Sequence, residues 1–193
     1  MTAISTGVTR IVLVPWRTRN FLEYTPVYVE WIRQALPWLQ GSVGRVGDFK
    51  VHDERWTTAE DVVRRYTDAI PEATAVIILT DEPLPESGWS SRLQRKGIVS
   101  TAMLSPRKLR CRLVHEIGHL IGLYHCRSVR CFMTSDLDVR NEFACRWDKA
   151  CARTLKAMQQ KQGLEIGDLA DCDLAKVELQ RVRPLKSDKS QPA

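Results

Sequence analysis

The chain has 193 residues, of which 44% are hydrophobic and 27% are charged, the composition of an ordinary folded domain. No segment approaches the roughly 18 uninterrupted apolar residues of a membrane span, and the N-terminus lacks the pattern of a secretory signal, so we expect a cytoplasmic protein without membrane contact. The net charge of +6 is spread among acidic residues along the chain, which disfavours nucleic acid as a partner.

The first 80 residues alternate short apolar runs with segments of helical hydrophobic spacing. Short apolar runs that end at proline or at polar turn residues predict buried strands, whereas apolar residues three and four apart predict amphipathic helices. In chain order, the pattern predicts a strand at 10–14, a helix from Pro26 to about residue 39, a strand at 45–53, a helix at 59–70 and a strand at 73–80.

The following segment, 81–91, is rich in turn-forming residues and is predicted to be a linker, after which 97–104 is predicted to be a strand. Ser105 then supplies an N-cap, and Pro106 a first helical residue, for a helix that ends near Gly122. The order of elements predicts an α/β (α+β) fold in which helices flank a mixed, twisted sheet.

The composition changes beyond Gly122, where cysteines appear, aliphatic runs become rare and a helix is predicted near 148–160. This change predicts two subdomains. Residues 1–122 form a sheet-and-helix subdomain that ends in the helix with the histidines, and residues 123–182 form a smaller C-terminal subdomain held by metal. The last residues, 183–193, are predicted to be a disordered tail.

Three of the four histidines lie in the segment HEIGHLIGLYH, residues 115–125. On a helix, residues four apart face the same side, so His115 and His119 present two imidazoles to one point. Gly122 can adopt a positive φ and reverse the chain, which brings His125 to the same point. Three imidazoles with an open fourth position are the ligand set of a catalytic zinc.

Glu116 lies beside the first of these ligands, and its carboxylate can reach a water on the metal instead of the metal itself. In that position it would act as a general base toward water and then protonate the leaving amine. The segment therefore predicts a zinc-dependent metallopeptidase that acts on a peptide or protein substrate. The alternative is a metal-stabilised module of the same fold that binds peptides or partners with little hydrolysis, and the presence of Glu116 argues against it.

Four of the six cysteines, Cys126, Cys131, Cys145 and Cys151, lie close together in the chain. In a chain without an export signal, clustered cysteines favour metal over disulfides. Cys111 lies one turn before His115 and is predicted to be a free cysteine of the core, although a disulfide with Cys172 is an open alternative. His52, in a predicted strand, is predicted to be structural.

The motif H-E-x-x-H-x-x-G-x-x-H over 115–125 resembles that of the metzincin clan of zinc peptidases. The resemblance implies a compact metzincin-like domain with a methionine turn below the zinc, for which Met133 is the candidate. Some metzincins carry an additional tyrosine ligand two residues after that methionine. Ser135 stands at this position, so no tyrosine ligand is expected.

The continuation H-C-x4-C-x-M, from His125 to Met133, resembles the archaemetzincin family in particular. In that pattern a C-x-x-C pair follows, and four thiolates hold a second, structural zinc. This chain departs from the pattern because Cys151 stands at the first position of the pair but Thr154 at the second. We predict a site formed by four cysteines, Cys126, Cys131, Cys145 and Cys151. The alternatives are that Cys172 replaces one of these ligands or that the site is lost. Two zincs per chain and a monomer are expected.

Three segments are candidates for contact with substrate. The predicted strand at 97–104 could offer an unpaired edge to an extended peptide, as in metzincins, or could be an ordinary inner strand. The loop at 134–143 and Trp89 are candidates for the walls of the cleft.

Overall fold

The computed structural model describes residues 7–18, 21–43, 73–84, 87–102, 104–135 and 146–161. Within these ranges the chain forms five strands and three helices. They are, in chain order, β1 Arg10–Pro15, α1 Phe21–Ala35, β2 Gln40–Val43, β3 Thr74–Thr80, β4 Gly88–Ser91, β5 Lys96–Ser100, α2 Pro106–Leu120 and α3 Lys149–Lys161.

The strands form one mixed sheet in the order β2-β1-β3-β5-β4. Neighbours are parallel throughout, with Val12 beside Val76 and Ile78 beside Ile98, except that β4 runs antiparallel to β5. All seven residues of β3 are buried, as expected for a central parallel strand. The predicted mixed α/β fold is confirmed.

The structure moves several predicted boundaries. The first helix begins at Phe21, ahead of Pro26, and ends at Ala35, just before Pro37, whose ring disfavours continuation of the helix. Residues 40–43, which directly follow the predicted helix, form β2 at the edge of the sheet. The predicted strand at 45–53 and helix at 59–70 lie outside the described residues.

The prediction that 81–91 is only a linker is wrong, because its last four residues form β4. A tight turn that includes Arg95, at a φ of 53°, returns the chain to β5. The strand expected at 97–104 is therefore an inner strand, paired with β3 on one side and β4 on the other. Four residues without clear alternation were too short a pattern to indicate a strand.

Helix α2 begins and ends as its sequence predicts. The hydroxyl of Ser105 accepts a hydrogen bond from the Lys108 N–H at 3.3 Å, and Pro106 is the first helical residue. At the other end Gly122 has a φ of 108°, and the Leu123 N–H bonds to the Gly118 carbonyl at 2.8 Å. The chain thus reverses immediately after the helix.

The C-terminal segment packs on the same core as the sheet and α2. The indole N–H of Trp147 donates to the Ala35 carbonyl at 2.7 Å, and the rings of Trp147 and Phe132 lie 4.8 Å apart. Leu155 and Met158 of α3 belong to the same buried cluster as the core residues of α1 and α2. The division into subdomains at residue 122 stays a prediction. Among the described helices, none has the length and apolar character needed to span a membrane.

Candidate active site and second metal centre

The three predicted histidines meet at one point. Helix α2 places His115 and His119 one turn apart, and the reversal at Gly122 brings His125 to them. The Nε2 atom of His119 lies 3.0 Å from that of His115 and 3.0 Å from that of His125, and the third separation is 3.3 Å. Three nitrogens bound to one tetrahedral zinc lie about 3.3 Å apart, so the imidazoles fit a single ion.

In two of the rings, a hydrogen bond at Nδ1 determines which nitrogen is available to bind a metal. The Nδ1 atom of His115 lies 2.6 Å from the Phe132 carbonyl oxygen, and that of His119 lies 3.0 Å from the Leu123 carbonyl oxygen. Carbonyl oxygens only accept, so each Nδ1 carries the proton and each Nε2 presents a lone pair. Lone pairs that converge at this distance are suited to bind one metal ion.

Desolvation favours the neutral imidazole that a metal ligand requires, most strongly at His115, which is buried, whereas His119 is half-buried and His125 is exposed. Burial, with the neighbouring His119, lowers the pKa of His115 to about 3. Burial also lowers the pKa of His119 and of His125. The cluster therefore stays available to a metal at neutral pH.

Glu116 is buried beside this cluster and both of its oxygens are engaged. Its Oε2 accepts from the Ser90 hydroxyl at 2.7 Å, and its Oε1 accepts from the Arg112 guanidinium at 3.2 Å. Arg112 in turn donates to the Ser87 hydroxyl at 2.7 Å. Burial raises the pKa of Glu116, while the bonds from Ser90 and Arg112 act in the opposite direction. The carboxyl is thus held in one orientation next to the histidines.

Sequence reasoning missed this support for Glu116. Arg112 stands four residues before Glu116 on the same helix, a spacing that indicates an ion pair and could have been recognised. Ser90 could not have been found in this way, because it comes from β4, which was predicted to be linker.

Met133 packs against helix α2 at Gly118, and its assignment to a methionine turn stays a prediction. It is fully buried, and a Cβ added at Gly118 would collide with its sulfur. Gly118 separates the two helical ligands in sequence, so the thioether packs against the backbone from which both imidazoles project. Ser135 is exposed at the start of the following loop.

A second cluster lies on the other side of the loop that carries Met133. The ligand atoms of Cys126, Cys131, Asp148 and Cys151 all lie within 4.8 Å of one another. The three cysteines are free thiols. The predicted ligand Cys145 and its alternative Cys172 lie outside the described residues, and Asp148 was not anticipated.

The thiols of this cluster influence one another. The hydrogen bond from Cys151 lowers the pKa of Cys131 to about 6, and the Met133 N–H, 3.5 Å from its sulfur, contributes to this effect. The pKa of Cys151 is raised, first by its bond to Cys131, and burial raises that of Cys126 to about 11.

Several other predicted residues have a definite outcome. Cys111 is buried as predicted, but the prediction of a free thiol is wrong because it forms a disulfide. Trp89 lies half-buried in β4. Beyond Ser135, the rest of the loop at 134–143 lies outside the described residues, as does His52.

Comparison with solved structures identifies the fold. An archaemetzincin from Methanopyrus kandleri is similar over 80% of this chain and 97% of that chain, with 18% sequence identity and a TM-score of 0.56. A zinc-dependent peptidase from Methanocorpusculum labreanum (strain Z) is similar over 75% of this chain and 99% of that chain, with 18% identity and a TM-score of 0.52. The chain therefore has the α/β fold of these proteins.

Comparison of sequences identifies the family that the chain resembles. Residues 106–160, which carry both clusters, match the model of Peptidase family M54. A curated archaemetzincin from Methanocaldococcus jannaschii is 27% identical over 117 residues, which cover 54% of this chain and 61% of that protein. The resemblance to the archaemetzincin family predicted from the motif is confirmed.

Proposed function

We propose that the protein is a zinc-dependent metallopeptidase in which His115, His119 and His125 hold the catalytic zinc and Glu116 is the general base. The observation that carries the proposal is the meeting of three Nε2 atoms within 3.3 Å of one another beside a buried carboxylate. The match to Peptidase family M54 supports it.

Bound zinc supplies a Lewis acid and lowers the pKa of a bound water toward ~7. Residues of the chain transfer the proton and position the reacting groups. Glu116 accepts a proton from the attacking water and delivers it to the leaving amine. Ser90 and Arg112 hold the carboxylate in position, and the Phe132 and Leu123 carbonyls orient the first two imidazoles.

The proposed substrate is an extended peptide or protein segment that lies along β4. This strand is last in the sheet order, with β5 on its other side, and Ser90 within it contacts Glu116. An extended peptide can add to such an edge through main-chain hydrogen bonds. We assign substrate binding to β4 instead of the segment 97–104, because that segment lies inside the sheet. A monomer in the cytoplasm, with no nucleic-acid partner, stays a prediction.

The replacement Glu116→Gln tests the general base. The amide keeps the size of the side chain but cannot accept the proton, so we expect zinc content and thermal stability to be retained while cleavage of a diverse peptide library falls by at least about a hundredfold. The matched control is Glu30→Gln, the same change on an exposed carboxylate of α1, and it should cleave like wild type. Unchanged turnover in Glu116→Gln would exclude the assignment. Peptide binding without cleavage by the zinc-loaded wild-type protein would favour the binding-module alternative.

We also propose that Cys126, Cys131 and Cys151, together with a fourth ligand, hold a second zinc with a structural role. Cys145 is the fourth ligand predicted from the sequence. Metal analysis of the purified chain should find two zincs, and Cys131→Ser should reduce the content to one because a central thiolate is lost. A wild-type content of one zinc would contradict the second site while leaving the catalytic one intact.

A further inference from the structure

We infer that Asp148 is the fourth ligand of the second metal site, so that the site consists of three thiolates and one carboxylate. The inference rests on the proposed second zinc and deepens it. It is carried by the position of the carboxylate, which lies within 4.8 Å of the sulfur atoms of Cys126, Cys131 and Cys151.

The start of α3 fixes the orientation of Asp148. The residue directly precedes the helix, and its Oδ1 accepts a hydrogen bond from the Cys151 N–H at 2.7 Å, which is the usual bond of an N-cap aspartate. A carboxylate has two oxygens and several lone pairs. The helix cap engages one carboxylate oxygen and thereby fixes the side-chain rotamer. The remaining lone pairs of the carboxylate can bind a metal on the side toward which Cys151 also points.

The backbone of Asp148 belongs to the cluster as well. Its N–H donates to the sulfur of Cys131, and Cys131 pairs with Arg146 in an isolated bridge that brings this stretch alongside the thiols. A carboxylate beside thiolates is unfavourable by itself and becomes favourable once a cation lies between them.

Thr154, which stands where the family pattern has its last cysteine, is engaged elsewhere. Its hydroxyl donates to the Ala150 carbonyl one turn earlier at 3.0 Å, as helical threonines commonly do. The sequence D-x-x-C at 148–151 instead reproduces the spacing of a C-x-x-C pair, with the carboxylate in the first position. The charge of the ligand set is the same as that of four thiolates, but a harder oxygen ligand replaces one sulfur.

The number of thiolate ligands can be measured by binding cobalt(II) to the full chain in place of zinc. Sulfur-to-cobalt charge-transfer absorption comes only from thiolate ligands, so the histidine site does not contribute to it. At saturating cobalt, Asp148→Cys should raise this absorption by about one third, because three thiolates become four. Cys145→Ser and Cys172→Ser should leave it unchanged.

A second variant separates ligation from helix capping. Asparagine caps helices as well as aspartate does but lacks the negative charge, so Asp148→Asn should retain the melting temperature of the metal-free protein. Its affinity for the second zinc should fall by at least about tenfold in competition with a chromophoric chelator. Thr154→Val, which removes the oxygen at the family position, should have wild-type affinity.

A loss of about one quarter of the charge-transfer absorption in Cys145→Ser or Cys172→Ser would show a four-thiolate site and overturn the inference. Unchanged zinc affinity in Asp148→Asn would overturn it as well. Either result would leave the second zinc itself in place. A wild-type chain that binds only one metal ion would contradict the second site from the start, which is a distinct outcome.

Discussion

At the scale of single residues, the ionisation of Glu116 depends on its two hydrogen-bond partners more than on its place in the motif. A buried carboxyl without partners favours its protonated form, which cannot serve as a base. The hydroxyl of Ser90 and the guanidinium of Arg112 lower its pKa against the effect of burial. The motif predicts which residue is the base, whereas these contacts determine whether it is ionised.

Ser90→Ala should therefore shift the pH dependence of peptide cleavage. Loss of a hydrogen bond to the charged form raises the pKa of Glu116, so the acidic limb of the kcat/KM profile should move to higher pH. Activity should fall most on that limb and recover as pH rises. Ser91→Ala is the matched control because neighbouring residues of a strand point to opposite faces. An acidic limb at the wild-type position would exclude this role for Ser90.

At the scale of elements, α2 packs against the segment that carries Met133 at one glycine. Gly118 lies between the two histidines of α2, and a side chain there would collide with the sulfur of Met133. Helix propensity alone favours alanine over glycine by up to about 1 kcal/mol. Close packing against Met133 predicts the opposite, namely that glycine is more favourable than alanine at position 118.

We expect Gly118→Ala to destabilise the protein by about 1–3 kcal/mol, because the added methyl group forces Met133 or the helix to move. Chemical denaturation measures the change in the free energy of unfolding. In the background of Met133→Ala the same substitution should cost far less, since the two residues are in contact and their effects are not additive. A stabilising effect in the wild-type background would show that the contact is not restrictive.

The elements differ in how far the sequence predicts them, and the reasons are physical. Continuous apolar runs predict β1 and β3, and cap, proline and glycine signals bracket α2 closely, because each depends on local chemistry. Strand β4 has only four residues and exists through its pairing with β5. Asp148 likewise looks like an ordinary helix cap in sequence, and only the return of the chain to Cys131 makes it a candidate ligand.

At the scale of the whole molecule, the loop of residues 131–134 connects the histidine cluster and the cysteine cluster. The Phe132 carbonyl accepts from His115 of the catalytic cluster. The next residue, Met133, bonds through its carbonyl to the Cys126 N–H at 2.8 Å and through its N–H to the Cys131 sulfur at 3.5 Å. Adjacent residues of a single short loop therefore contact one cluster each, so we expect order at one cluster to depend on order at the other.

This connection predicts that loss of the second metal weakens the first. Cys131→Ser should still bind zinc at the histidines, but with an affinity reduced at least about fivefold, because Phe132 and Met133 lose the anchor that positions them. Competition between the protein and a chelator of known affinity measures the effect. Ser128→Ala, which keeps the backbone carbonyl near Cys126, is the control and should bind both zincs as wild type does. Since coupling is reciprocal, His119→Ala should weaken the second site by a similar factor, and unchanged affinities in both variants would show that the loop does not link the two centres.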